Sequence, residues 1–226
     1  LYHLNTAIGS RTIAKGFSHS HFDFHYAFSL ITALIKTGQF ELAKTHIQAL
    51  PLLKGYLKPD EKHLCGSAYL GQSLLLISLY YSFSLDDSFL TDCTPVIDSI
   101  VKKISRARKK NKKNPSLSGL LKASYAYNNQ GTLDTYFWDN FWVLAGLNAI
   151  LKLSKSFNQD LLISSVERLS ESLTHTINHL FDYLMTHNDC HYIPISQQRS
   201  LDSGLISSLC CIYPCSLIDA SHAFVS

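Results

Sequence analysis

The chain has 226 residues, 46% hydrophobic, 12% aromatic and only 16% charged, with 10 Gly and 6 Pro. That composition feeds one substantial core and excludes a disordered tail, a collagen-like fibre and a small disulfide scaffold. The formal net charge of +3 hides an uneven distribution, because Lys102–Lys113 holds eight Lys or Arg and no acid, while the rest of the chain has 12 bases against 17 acids. A single domain over 1–226 is expected. Six cysteines are too dilute for a stapled secreted domain, Cys210, Cys211 and Cys215 match no zinc spacing, and no signal-like stretch opens the sequence. A cytoplasmic location is therefore expected.

The first predicted element opens with His19-Ser20-His21-Phe22-Asp23-Phe24-His25 and runs on, apolar nearly all round, to Ile35. Three imidazoles and a carboxylate could ligate zinc, but the binuclear hydrolase pattern is missed by one residue and no strand precedes it, so no metal is expected. Bonding of ligand hydroxyls from a helix mouth by His21 and Asp23 is the functional alternative to plain capping. The next segment has one narrow stripe, Phe40, Ala43, Ile47 and Leu50. Leu64–Leu85 contains no charge, yet five serines and Gln72 suit a buried helix better than a membrane span. A stripe at Phe89, Cys93, Ile97, Ile100 and Ile104 follows. The basic run then reads as a solvated helix end stopped by Asn114-Pro115, with no nucleic-acid or membrane partner expected.

Tyr136–Leu153 is again apolar on every side, and it is followed by Leu162, Val166, Leu169, Leu173, Ile177, Leu180 and Leu184 at three-four spacing. At its start Trp138 and Trp142 share a face, with Asp139 and Asn140 beside them. A carboxyl group pressed among aromatics loses hydration and can hold a proton near neutrality, while indole and phenol rings suit the floor of a sugar site. The bland reading of Asp139 is a buried carboxylate bonded to a helix terminus. Arg199-Ser200-Leu201-Asp202-Ser203-Gly204 precedes a last predicted helix from Leu205 to Tyr213 and places Asp202 in its first turn.

Helices that are hydrophobic all round must be enclosed, and here they alternate with half-buried ones. The simplest architecture is all-α, a double ring of antiparallel hairpins with inner helices covered by outer ones. Three hairpins, 22–50, 61–108 and 135–187, and the start of a fourth fall short of a closed ring of twelve helices. The chain is expected to be an incomplete ring or part of a longer one. If the ring exists, its three Asp-bearing helix starts face one mouth.

The string Asp134-Thr135-Tyr136-Phe137-Trp138-Asp139-Asn140-Phe141-Trp142-Val143-Leu144-Ala145-Gly146-Leu147 resembles the Tyr-Trp-Asp-Asp-Phe-Trp-x-Leu-x-Gly-Leu segment of bacterial six-hairpin glycosidases, the glucoamylase-, trehalase- and glycogen-debranching-like α/α toroids. Gly16–Asp23 with Ala33–Ala43 is similar to their early hairpin, and Pro194–Ser196 with Arg199–Leu209 to their later Arg-x-Asp-x-Gly stretch. The resemblance implies an (α/α)6-type toroid and inverting hydrolysis of a glycosidic bond in an oligosaccharide or glucan by a carboxylic acid pair, without a cofactor. Asp139 would be the acid and Asp202 the nearest candidate for the base. Tyr136, Trp138 and Trp142 would stack on sugar, and Asn140, His21, Asp23 and Arg199 would bond its hydroxyls. Asn140 stands where the family has its second Asp. Two alternatives accompany the enzyme reading: a carbohydrate-binding toroid without catalysis, and a helical-repeat module that binds protein.

Overall fold

The computed structural model describes residues 8–9, 12–13, 24–50, 67–108, 118–124, 133–157, 159–188, 192–196, 199 and 205–219. Helices dominate: α1 (Phe24–Lys36), α2 (Phe40–Ala49), α3 (Ala68–Ser84), α4 (Asp87–Ala107), α5 (Phe137–Lys152) and α6 (Asp160–Asn188). The protein is all-α apart from short pairings. Each odd-numbered helix packs against the even-numbered helix that follows it.

The connections explain the pairing. After α1, Gly38 takes a left-handed φ of 76°, its N–H bonds the carbonyl of Ile35, and the N–H of Gln39 bonds that of Leu34. This Schellman turn reverses the chain within three residues. Between α3 and α4, Leu85 is left-handed and Asp86 caps α4 by accepting from the N–H of Phe89 at 3.0 Å.

The most extensive helix–helix contact joins α3 to α5. It rests on Gly71 and Gly146: a Cβ on Gly71 would overlap the carbonyl of Trp142, and one on Gly146 would overlap the backbone of Gly71. The small polar residues of α3 have internal partners. The Ser73 hydroxyl bonds the carbonyl of Tyr69, and that of Ser78 reaches across to the carbonyl of Ala149 at 3.0 Å. A buried helix can hold such residues where each hydroxyl finds a carbonyl. Among the described residues no helix is long and apolar enough to cross a membrane.

The even-numbered helices bury the stripes their spacing predicts. Phe89, Cys93, Ile97, Ile100 and Ile104 of α4 and Leu162, Val166, Leu169, Leu173, Ile177, Leu180 and Leu184 of α6 are all in the core. Three findings depart from the sequence reading. Helix α1, expected to be enclosed, exposes Ser29, Ala33 and Lys36, because only one side of it meets α2 and α3. The last predicted helix is a 3-10 stretch, Leu205–Cys211, that packs on α5 and then turns back, with the N–H of Cys215 on the carbonyl of Cys210 and that of Leu217 on the carbonyl of Cys211. Pro214, lacking an N–H, falls within that turn.

The third departure is extended backbone that alternation did not signal. Ile8–Gly9 (β1) pairs antiparallel with Thr12–Ile13 (β2), and single bridges join Arg108 to Leu121, Ser124 to Asp134 and Tyr136 to Ser196. The last two gather segments 118–124, 133–136 and 192–196 around the start of α5. Arg108 holds the first in place, its Nε donating to the carbonyl of Gly119 at 2.6 Å and its Nη2 to the Ser172 hydroxyl of α6.

Candidate functional site

At the start of α5 the backbone leaves extended Tyr136 and enters a helix whose first turn carries Trp138, Asp139 and Asn140. Successive helical residues point about 100° apart, so these three side chains go to three places. Trp138 turns towards α1. Its ring lies 5.5 Å from Trp142 and 5.2 Å from His25, and Phe28 meets Trp142 edge to face at 4.8 Å. Gln72 of α3 fixes His25 through a 3.0 Å contact between Nε2 and Nδ1.

These rings form one wall of a hollow of about 400 Å³. Helix α1 contributes His25, Phe28, Ser29 and Thr32, positions at i, i+3, i+4 and i+7 and therefore on one face. Helix α5 contributes Trp138 and Trp142, and the 205–215 segment contributes Ser207, Leu209, Cys210, Tyr213 and Pro214. The lining is aromatic and aliphatic with a few hydroxyls, the mixture that small-molecule sites use, and the volume lies at the small end of their range. Tyr213 is 70% exposed at the rim, where its hydroxyl accepts from Lys36 Nζ at 3.4 Å. Burial pushes the Cys210 thiol well above its ordinary value, so it is held as SH and is a poor nucleophile.

Asp139 turns the other way. It is 3% exposed; Oδ1 accepts the N–H of Ala68 at 2.8 Å and of Ser67 at 3.1 Å, and Oδ2 accepts the Ser124 hydroxyl. Its carboxyl thus caps α3 from a different helix. Burial pushes its pKa up to about 6, against the three donors, which pull it down. It does not line the hollow, although Cys210, which does, feels its charge.

Asn140 is completely buried, with Oδ1 accepting the N–H of Leu121 at 3.0 Å and Nδ2 donating to the carbonyl of Tyr136 at 2.8 Å. Both ends of the amide bond backbone, and Asn140 is not among the residues that line the hollow, so the expected contact with sugar hydroxyls is not one that this geometry offers. Tyr136 is buried too, and its hydroxyl accepts from Arg199 Nη1 at 3.3 Å, while the Arg199 N–H bonds the Ser196 hydroxyl. Tyr136 and Arg199 therefore pair with each other, and neither is among the residues that line the hollow. Of the expected site, Trp138 and Trp142 share the hollow. His21, Asp23 and Asp202 lie outside the described residues; His25, two positions after Asp23, and Ser207, five after Asp202, line the hollow.

Sequence reasoning passed over Thr32, Ser29, Cys210 and Tyr213. The first two were legible in principle, since polar side chains at helical spacing from His25 interrupt an otherwise apolar helix. Among the described residues no three His, Cys, Asp or Glu side chains group as metal ligands. The fold and this hollow define an all-α protein with an aromatic-walled cavity whose lining, among the described residues, is uncharged. No family model, curated protein or solved structure matches the chain.

Proposed function

We propose that this chain is a carbohydrate-binding protein of the α/α-toroid kind, built like a glycoside hydrolase, and that the hollow beside Trp138 and Trp142 holds a sugar ring. One observation carries the reading: His25, two residues after Asp23, and Ser207, five residues after Asp202, line the same hollow as the Trp pair beside Asp139. A pyranose offers an apolar face of C–H groups to an indole and a rim of hydroxyls to Ser, Thr and His, and this lining has both. In this reading the alternation of enclosed and half-buried helices is an arc of a hairpin ring.

Inverting hydrolysis of a glycosidic bond is the second reading, favoured by the carboxyl of Asp139, whose pKa near 6 leaves a fraction of it protonated close to neutrality. It needs a second carboxylate, for which Asp202 stands as candidate, and it needs Asp139 to exchange its caps for a glycosidic oxygen. The binding reading needs neither.

A panel of neutral oligosaccharides, with maltose and trehalose as first members, is expected to change the fluorescence of the protein's two tryptophans in a saturable way. Trp138→Ala should weaken the response by about tenfold or more, the loss of a stacking face. Absence of binding across the panel, with a peptide or protein captured instead, would give the protein to the helical-repeat reading. Release of reducing sugar that Asp139→Asn abolishes in a folded protein would promote hydrolysis over binding alone.

A further inference from the structure

Three buried side-chain polar atoms among the described residues have no hydrogen-bond partner: Thr32 Oγ1, His46 Nε2 and Trp142 Nε1. Two of them, Thr32 and Trp142, line the same hollow, from different helices. Trp142 is fully buried, so bulk water does not reach its N–H. A buried polar atom left unpaired is costly, and two of them on residues that line one cavity point to a ligand's own polar atoms as their partners.

The chemistry of the two atoms and their surroundings narrows the ligand. An indole N–H only donates, so its partner is an acceptor oxygen; a threonine hydroxyl donates or accepts. Among the described residues, none that lines the hollow carries a fixed charge. Lys36, which meets the hydroxyl and ring face of the lining residue Tyr213, is not itself among the lining residues. His25, the one imidazole among the described lining residues, has its Nδ1 on Gln72. A carboxylate or phosphate entering here would lose its hydration without gaining a counter-charge.

Resting on the carbohydrate reading, we infer that the hollow selects an uncharged, hydroxyl-bearing ring, one oxygen of which accepts the Trp142 indole N–H while another hydroxyl bonds Thr32, and that it rejects anionic sugars. Thr32 and Trp142 are then the specificity-determining pair. Trp138 and Phe28 supply the apolar walls between which the ring lies.

The chain has two tryptophans, hence two indole signals in a proton–nitrogen correlation spectrum, told apart by Trp138→Phe. Titration with the neutral sugar that binds best is expected to move the Trp142 indole proton downfield and slow its exchange. Thr32→Val, which keeps the shape and removes the hydroxyl, should weaken that sugar by about three- to tenfold while the thermal midpoint of the free protein stays the same or rises. The corresponding uronate and sugar phosphate should bind at least about tenfold more weakly. Single-deoxy analogues of the sugar, tested on the unaltered protein, should lose affinity at the hydroxyl facing Thr32; this arm decides the matter if the variant does not fold. An unmoved Trp142 signal, deoxy analogues of uniform affinity, or an anionic sugar bound as tightly would each overturn the inference and leave sugar binding intact. Failure of every sugar to bind would instead remove the carbohydrate reading itself.

Discussion

The carboxylate of Asp139 accepts two N–H groups that helix α3 cannot satisfy internally, and it does so from a residue 71 positions away from Ala68. Sequence reasoning set two roles beside each other for it, a capping anion and a proton-holding acid, because both follow from a carboxyl among aromatics. The geometry contains elements of both: the caps are formed, and burial lifts the pKa to about 6. Substitution separates charge from hydrogen bonding. Asparagine keeps an oxygen for Ser67 and Ala68 and offers N–H to the Ser124 hydroxyl, so Asp139→Asn is expected to stay folded at pH 7 with stability equal to or above that of the parent. Asp139→Ala orphans the N–H groups and should cost about 1–3 kcal/mol. Urea denaturation of the two variants checks this; equal losses would mean that the charge itself holds α3.

Elements were more legible than residues. The stripes of α2, α4 and α6 follow a 3.6-residue period that survives any tertiary arrangement, and the enclosed helices α3 and α5 announce themselves by having no polar face. The stretch 205–213 misled because seven residues of 3-10 helix are too short for periodicity to distinguish from the start of an α-helix. The contact between α3 and α5 was not legible at all: Gly71 and Gly146 are 75 positions apart, and only their meeting gives either its meaning. Both Gly71→Ala and Gly146→Ala are expected to cost more than about 3 kcal/mol or to prevent folding, since the added methyl meets backbone that cannot rotate away. Gly38→Ala, where nothing crowds the Cβ and only the positive φ resists, should cost about 1 kcal/mol. Chemical denaturation of the three variants ranks them, and a mild effect at Gly71 would place the two helices farther apart.

For the molecule as a whole, three titrations shape stability against pH. Burial lowers the pKa of His46, so the folded state resists its protonation, and stability falls as pH drops below about 6.5, the value of an unperturbed imidazole. Asp139 acts in the opposite sense. Its raised pKa means the folded state takes up a proton first, and its contribution improves as pH falls from about 6 towards 3.8. Asp86, hydrogen-bonded by Lys44 at 2.7 Å and by the Ser88 hydroxyl and Phe89 N–H, is held below the ordinary carboxylate range, and its contribution is lost once pH falls below 3.8. Unfolding free energies measured from pH 8 to 3 should show His46→Gln gaining on the parent protein below pH 6.5. Over pH 4–6 the advantage of Asp139→Asn over the parent should grow as pH rises. Parallel curves would mean that neither group changes its proton affinity on folding.

By itself the sequence determined where α1 to α6 lie and which faces of α2, α4 and α6 are wet, because these are local consequences of side-chain period and hydrophobicity; that α1 has an open side was decided by packing. It also brought the indole pair Trp138 and Trp142 to attention, since four residues is one helical turn. Tertiary structure alone decided what the neighbouring polar residues do. Asp139 and Asn140 are one residue apart, yet their groups serve backbone in two distant segments, and Thr32 shares a hollow with Trp142 across 110 positions of chain. Hydrogen bonding and cavity formation join atoms that are near in space, and proximity between such distant positions exists only after the helices have packed.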